Sequence, residues 1–155
     1  MSVKKGLEQM FLGTYQHSLD AKGRIIVPSR FRDDLADGGF VLRGFDRCLM
    51  VMTVDYFEAM YLRINAMNLA DPATRALRRL LLANAYSITP DKVGRINLPQ
   101  DLRDFSAIDG DTVVVGQGEY FELWTPDNWQ TQQDSLDDLD ANIGRFDALD
   151  LSPSE

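Results

Sequence analysis

Residues 20–32 read Asp20-Ala21-Lys22-Gly23-Arg24-Ile25-Ile26-Val27-Pro28-Ser29-Arg30-Phe31-Arg32. The pattern returns 71 positions later as Asp91-Lys92-Val93-Gly94-Arg95-Ile96-Asn97-Leu98-Pro99-Gln100-Asp101-Leu102-Arg103. Six of the thirteen positions are identical without a gap: the Asp, the Gly, the first Arg, the first Ile, the Pro and the last Arg. Val27/Leu98 and Phe31/Leu102 keep apolar character. Further on, at an offset of 72, Val41-Leu42-Arg43-Gly44 aligns with Val113-Val114-Val115-Gly116, and Met52-Thr53 with Trp124-Thr125. An internal duplication of this kind organises the whole chain.

Each copy has a readable local structure. Short strand-like segments precede Asp20 and Asp91, and β-branched or apolar residues follow Arg24 and Arg95. A three-residue connection ending in glycine is the sequence of a tight hairpin turn that needs one left-handed residue, which glycine adopts without a Cβ clash. The Asp side chain can accept from the N–H groups of its own loop and fix the turn. Pro28 and Pro99 then close the second strand and suit the first position of a short helix. On the first of these helices Phe31 and Leu35 share an apolar face. Gly38-Gly39 and Asp109-Gly110-Asp111 end the helical stretches, and two strands follow in each copy: Phe40–Arg43 with Leu49–Met52, and Thr112–Val115 with Tyr120–Trp124.

A helical insert separates the copies. Thr53 is placed to N-cap a helix with Phe57, Met60, Tyr61 and Ile64 on one face. Asp71-Pro72 opens a second helix, with Leu77, Leu80 and Leu81 inward. Thr125-Pro126-Asp127 starts the matching helix of the second copy, which carries Trp129. The expected organisation is a leading segment at 1–11, a first unit at 12–60, a helical connector at 61–84, a second unit at 85–132 and an acidic tail at 133–155, mobile or weakly helical.

Composition agrees with a packed interior, with 45 % hydrophobic and 10 % aromatic residues. No run approaches the roughly 18 apolar residues of a membrane span, and the start has no apolar stretch of a secretory signal. The expectation is a soluble, cytoplasmic protein. Net charge is −8, but from Asp134 onward seven acids face one base, so the remainder sits near −2. A near-neutral body can still carry a local basic patch.

Turn chemistry accounts fully for the Asp and the Gly. The arginines stay open to two readings: an ion pair closing each hairpin, or cationic side chains on a stiff tip that faces phosphates and base edges. Arginine's planar fork can hold guanine or phosphate in bidentate fashion, with Lys22 and Lys92 as neighbouring point charges.

The doubled Asp20-Ala21-Lys22-Gly23-Arg24 and Asp91-Lys92-Val93-Gly94-Arg95 motif, each followed by an apolar strand and Pro, resembles the MraZ family. Met10-Phe11-Leu12-Gly13, Ser18-Leu19-Asp20 and Val27-Pro28-Ser29-Arg30-Phe31-Arg32 match the family's opening, and the resemblance spans roughly residues 10 to 133. It implies a β-rich α+β fold of two tandem AbrB/SpoVT-type swapped-hairpin units. Their strand pairs interleave within one protomer as a pseudo-twofold barrel with flanking short helices. It implies a DNA-binding transcriptional repressor, nucleoid-associated, that assembles into a ring (an octamer or dodecamer) on short direct repeats of double-stranded promoter DNA. The target that the resemblance implies is the division and cell-wall gene cluster. The family's DNA-associated arginine falls on Arg24 and Arg95; Lys22 and Lys92 join them as DNA-binding residues, with Asp20, Gly23, Asp91 and Gly94 structuring the turns. Val93 stands where the first loop has Lys22, so the tips are not expected to contribute equally. Met1–Gln9 precedes the usual family start.

The remaining features weigh less. Arg75, Arg78 and Arg79 share a helix face read as solvated or inter-subunit, Arg30 and Arg32 are expected to pair with neighbouring acids, and His17 sits on a strand. One histidine and one cysteine, Cys48, leave no catalytic constellation, no metal cluster and no cofactor or small-molecule substrate site. The competing reading is an oligomeric protein-binding module without direct DNA readout.

Overall fold

The computed structural model of the chain describes residues 10–153. Most of the leading segment therefore lies outside the described residues, although Phe11 is in the core, 1 % exposed and bridged to Gly118. The first copy comprises β1 (Thr14–Ser18), β2 (Arg24–Ile26), α1 (Ser29–Arg32) continued by a 3-10 turn (Asp33–Leu35), β3 (Gly39–Arg43) and β4 (Leu49–Thr53). Helices α2 (Val54–Asn65) and α3 (Pro72–Leu82) connect it to the second copy: β5 (Tyr86–Ile88), β6 (Arg95–Asn97), α4 (Gln100–Ser106), β7 (Asp111–Gly116) and β8 (Tyr120–Trp124). Helices α5 (Pro126–Asp137) and α6 (Leu139–Asn142) follow.

Local chemistry sets the helix starts. Thr53, Asp71 and Thr125 each accept a backbone N–H of their own first turn, from Tyr56, Ala73 and Asn128. Pro28 and Pro99 stand one place earlier than their sequence reading. Their extended ψ of 139° and 149° makes them caps, and the helices begin at Ser29 and Gln100.

The pairing is not that of two self-contained hairpins. β1 pairs with β7 and β5 with β3, each crossing to the other copy, while β2 pairs with β6. The six-stranded sheet runs β1-β7-β8-β4-β3-β5, an order that reads alike from either end when the copies are exchanged, with β8–β4 at its centre. Its ladder does not close into a barrel; β2 and β6 form a separate two-stranded ribbon.

Register corrects one alignment. Tyr15 lies opposite Val114 and Tyr86 opposite Val41, so Val41 corresponds to Val114, not Val113. The offset is 71 at β1/β5, 73 at β3/β7 and, with Thr53 and Thr125 both capping, 72 beyond. A one-residue slip exchanges the faces of a strand. Val41 and Val114 accordingly both point into the main core.

That core lies between the inner face of the large sheet and the layer made by the ribbon with α1 and α4. It holds Phe11, Ile25, Phe31, Leu35, Ile96, Leu102 and Phe121 among others. The outer face is covered in two halves. Helices α2 and α3 lie over Leu42, Met50 and Met52, and α5 sets Trp129 against Trp124 over Val113 and Val115. On α2, Tyr61 is 39 % exposed, contrary to its inward assignment, and Tyr56 packs in its place. No helix of the described residues is long and apolar enough to cross a membrane.

Candidate nucleic-acid interface

The duplicated motif folds into two matching tips. In the first, the Asp20 N–H donates to Arg24 O and the Gly23 N–H to Asp20 O, at 2.8 and 3.0 Å. Asp20 Oδ1 accepts the backbone N–H groups of Lys22 and Arg24, each at 2.9 Å, and Oδ2 accepts Arg24 Nε at 2.9 Å. The second tip repeats every bond, with Val93 and Arg95 N–H on Asp91 Oδ1 and Arg95 Nε on Oδ2 at 2.8 Å. Gly23 and Gly94 take the left-handed conformation, φ +79° and +87°.

Both sequence readings of the arginine therefore hold in part. The ion pair is real, and these are the two salt bridges found among the described residues. Because the pair uses Nε, it also splints the guanidinium and leaves Nη1 and Nη2 without a protein acceptor among the described residues. The backbone N–H of the arginine, helped by its guanidinium, holds the Asp20 and Asp91 carboxyls below the usual range.

Strand exchange brings the tips together. In the β2–β6 ribbon Arg24 faces Asn97 and Ile26 faces Arg95, with Ile25 opposite Ile96 between them. Paired residues of antiparallel strands share a face. Ile25 and Ile96, each 1 % exposed, point into the core. Arg24, Ile26, Arg95 and Asn97 thus form the outer face, with the two arginines offset by roughly 7 Å along the strands and 5 Å across them. Lys22 and Lys92 are exposed at opposite ends, as is Val93 at 52 %.

Two further guanidiniums belong to this surface. Arg32 Nε donates to Val27 O and Arg103 Nε to Leu98 O, both at 2.9 Å. Each lies across the tip glycine of the other copy: a Cβ on Gly94 would fall 2.8 Å from Arg32 Cζ, and one on Gly23 2.8 Å from Arg103 Cζ. The tip glycines therefore answer two demands, a positive φ and the close approach of an arginine. Arg32 does not pair with an acid as its sequence reading expected; nor does Arg30, whose Nη1 reaches the Tyr15 hydroxyl at 3.4 Å. Arg32 and Arg103 are the last identical pair of the repeat, which was the available signal. Burial and, next, the charge of Arg32 hold the His17 imidazole below its ordinary range.

The other polar cluster is remote from the ribbon. On the outer sheet face Glu122 accepts from Trp124 Nε1, Gln117 Nε2 and the Cys48 thiol, and burial pushes up both Glu122 and Cys48. No set of three metal-ligating side chains comes together among the described residues.

A family model described as "MraZ protein, putative antitoxin-like" matches this chain twice, over residues 10–80 and 81–145, the two halves of the duplication. Among curated relatives, a protein of Herpetosiphon aurantiacus is 42 % identical over 129 residues, covering 83 % of this chain and 90 % of its own. One of Roseiflexus castenholzii is 39 % identical over 137 residues, covering 88 % and 94 %. One of Ligilactobacillus salivarius is 37 % identical over 142 residues, covering 89 % and 99 %. Each is named "Transcriptional regulator MraZ".

Proposed function

The chain belongs to the MraZ family, whose relatives are transcriptional regulators and not enzymes, and from that premise we propose that it regulates transcription by binding double-stranded DNA through the β2–β6 ribbon. Arg24 and Arg95 are the central contacts, and Lys22 and Lys92 flank them. The observation that carries this reading is the exchange that sets both splinted arginines, with Arg32 and Arg103 beside them, on one face of a two-stranded ribbon. A ribbon of that width fits the major groove of B-DNA, where arginine's fork matches the O6 and N7 of guanine. The four cations of the two tips, Lys22, Arg24, Lys92 and Arg95, against Asp20 and Asp91 also make the tips positive in a chain of net charge −8.

One ribbon makes few phosphate contacts. Tight binding then calls for several copies in a ring on clustered direct repeats, where tethering adds roughly 10²- to 10⁴-fold. Repression follows where the repeats overlap a promoter. The division and cell-wall gene cluster is the target that the family relationship favours, and binding there would make the protein nucleoid-associated.

The test is fluorescence anisotropy of a labelled duplex from upstream of the protein's own gene. Wild type is compared with Arg24→Ala and Arg95→Ala after light scattering has established equal oligomer mass. Both variants should keep their mass and lose affinity, and wild-type binding should fall by about 0.9 logarithmic units per tenfold rise in salt for each phosphate neutralised. Equal binding by all three proteins would reduce the arginines to turn struts. Absence of binding by wild type would favour the protein-binding module.

A further inference from the structure

We infer that the acidic C-terminal segment, residues 134–151, docks on the α2–α3 helical hairpin of a second copy of this chain. The inference supplies a subunit contact for the ring proposed above and does not depend on DNA binding.

The segment is unusual in what it leaves uncovered. Leu136, Leu139, Ile143, Phe146, Leu149 and Leu151 are 45–95 % exposed, six large apolar side chains within sixteen residues. Soluble proteins rarely present so much contiguous apolar surface without an occupant for it. Leu136 lies in the last turn of α5 and Leu139 opens α6, with an extended Asp138 between them and an extended Ile143 after, so these side chains line up along a broken helical segment. Asp134, Asp137, Asp138, Asp140, Asp147 and Asp150 lie between and around these residues, with Arg145 as the only base. Arg145 is engaged with Ser135 and Asn142, not with an acid.

The hairpin shows the complementary composition. Leu62, Met67 and Leu69 are 65 %, 45 % and 60 % exposed around its turn. Across α2 and α3, Arg63, Arg75, Arg78 and Arg79 stand against Asp55, Glu58 and Asp71, and the two α2 acids lie in its first two turns, away from the turn that joins the helices. None of these arginines has a carboxylate within ion-pair distance among the described residues. Arg75 is turned onto the carbonyls of Leu69 and Ala70 and holds the turn that presents Leu69.

An apolar stripe edged with aspartate and an apolar turn edged with arginine match in both character and sign. Like charges disfavour tail against tail, and the arginine-bearing side of the hairpin against itself. The contact is consequently heterologous, tail to hairpin, the type that propagates and closes into rings. DNA is the rival occupant of the helix arginines, and the layer order disfavours it. The hairpin covers the outer face of the large sheet while the ribbon lies on the inner face. One duplex cannot lie along both.

Light scattering on the full chain tests the proposal by charge exchange at positions outside the core. Arg78→Glu with Arg79→Glu, and separately Asp137→Lys with Asp140→Lys, should each lower the mass toward the 17.5 kDa protomer. Combining all four should restore it, and high salt should weaken the wild-type assembly. Should the helix variant melt early, the tail variant, which touches no cap or core residue, decides alone. An assembly indifferent to the tail variant overturns the contact while leaving a ring intact. A wild type that is monomeric at all concentrations overturns contact and ring together. A helix variant that keeps its mass and loses DNA gives those arginines to DNA and ends the proposal.

Discussion

Replacing Gly94 by alanine tests whether the tips are held by the opposite copy, and the cost can be worked from three glycines in different settings. Gly110 has open space around a prospective Cβ and no positive φ, so Gly110→Ala should change stability by less than about 0.5 kcal/mol. Gly118 also has open space but sits at φ +90°, so its alanine bears only the left-handed backbone strain, about 1–2 kcal/mol. Gly94 combines a φ of +87° with Arg32 Cδ and Cζ 2.8 Å from the Cβ. The arginine must swing away and give up its 2.9 Å bond to Val27 O. A hydrogen bond from a charged group contributes about 1.5–3 kcal/mol, so the total for Gly94→Ala is about 3–5 kcal/mol.

At about 2–4 °C per kcal/mol for a chain of this size, that amounts to a fall in Tm of roughly 6–20 °C. Urea unfolding at one protein concentration is the assay, because association alone shifts apparent stability. If Gly94→Ala lies within about 1 kcal/mol of Gly118→Ala, the cross-copy arginine does not hold the tip and the reasoning fails. Gly23→Ala, facing Arg103, should behave as Gly94→Ala does.

Phe31→Ala should cost about 3–5 kcal/mol, because its ring meets those of Phe11, Tyr15 and Phe121 at 4.9, 5.3 and 5.3 Å in the main core; a loss below about 1.5 kcal/mol by urea unfolding would mean the site collapses freely. His17 should make the fold acid-sensitive. Its pKa is lowered in the folded state, so the unfolded chain takes up the proton first and stability falls as pH drops below the ordinary 6.5, with none of this loss above it. His17→Gln should flatten the difference in urea midpoint between pH 7.5 and 5; an unchanged difference would place the sensitivity elsewhere. Asp34 and Glu122, both raised by burial, act in the opposite direction and are common to both proteins.

What the sequence made legible was local. The Asx-type turns, the left-handed glycines and the caps at Thr53, Asp71 and Thr125 depend on residues within four positions of one another. Non-local pairing was less visible. Nothing in Thr14–Ser18 says that it bonds to β7 and not to β2; that expectation came from the family resemblance. The 72-residue offset failed at β3/β7 because Val113, Val114 and Val115 are alike in character, so composition could not set the register. Arg32 was expected to pair with neighbouring acids, whereas it and Arg103 are each held by a backbone carbonyl and lie against a glycine contributed by the other copy.

Duplication within one chain has a further consequence, because the two halves of the ribbon are free to differ. Arg24 has Asn97 opposite it and Lys22 on its tip, the more polar half. Arg95 has Ile26 opposite it and Val93 on its tip, and both are exposed apolar residues, at 38 % and 52 %. Asparagine suits adenine in the major groove, whereas an apolar side chain suits the methyl of thymine. If the ribbon reads DNA, exchanging the two residues by Ile26→Asn with Asn97→Ile reverses this polarity and keeps ribbon composition and charge. Each correct base contact contributes about 1–3 kcal/mol. Affinity for the promoter duplex should therefore drop by roughly ten- to a hundredfold, with binding to random duplex unchanged, since phosphate contacts dominate there. Equal loss on both duplexes would show that the swap damages the ribbon itself. No loss on either would mean that bases are not read from this face, and Arg24 and Arg95 would then serve the phosphate backbone alone.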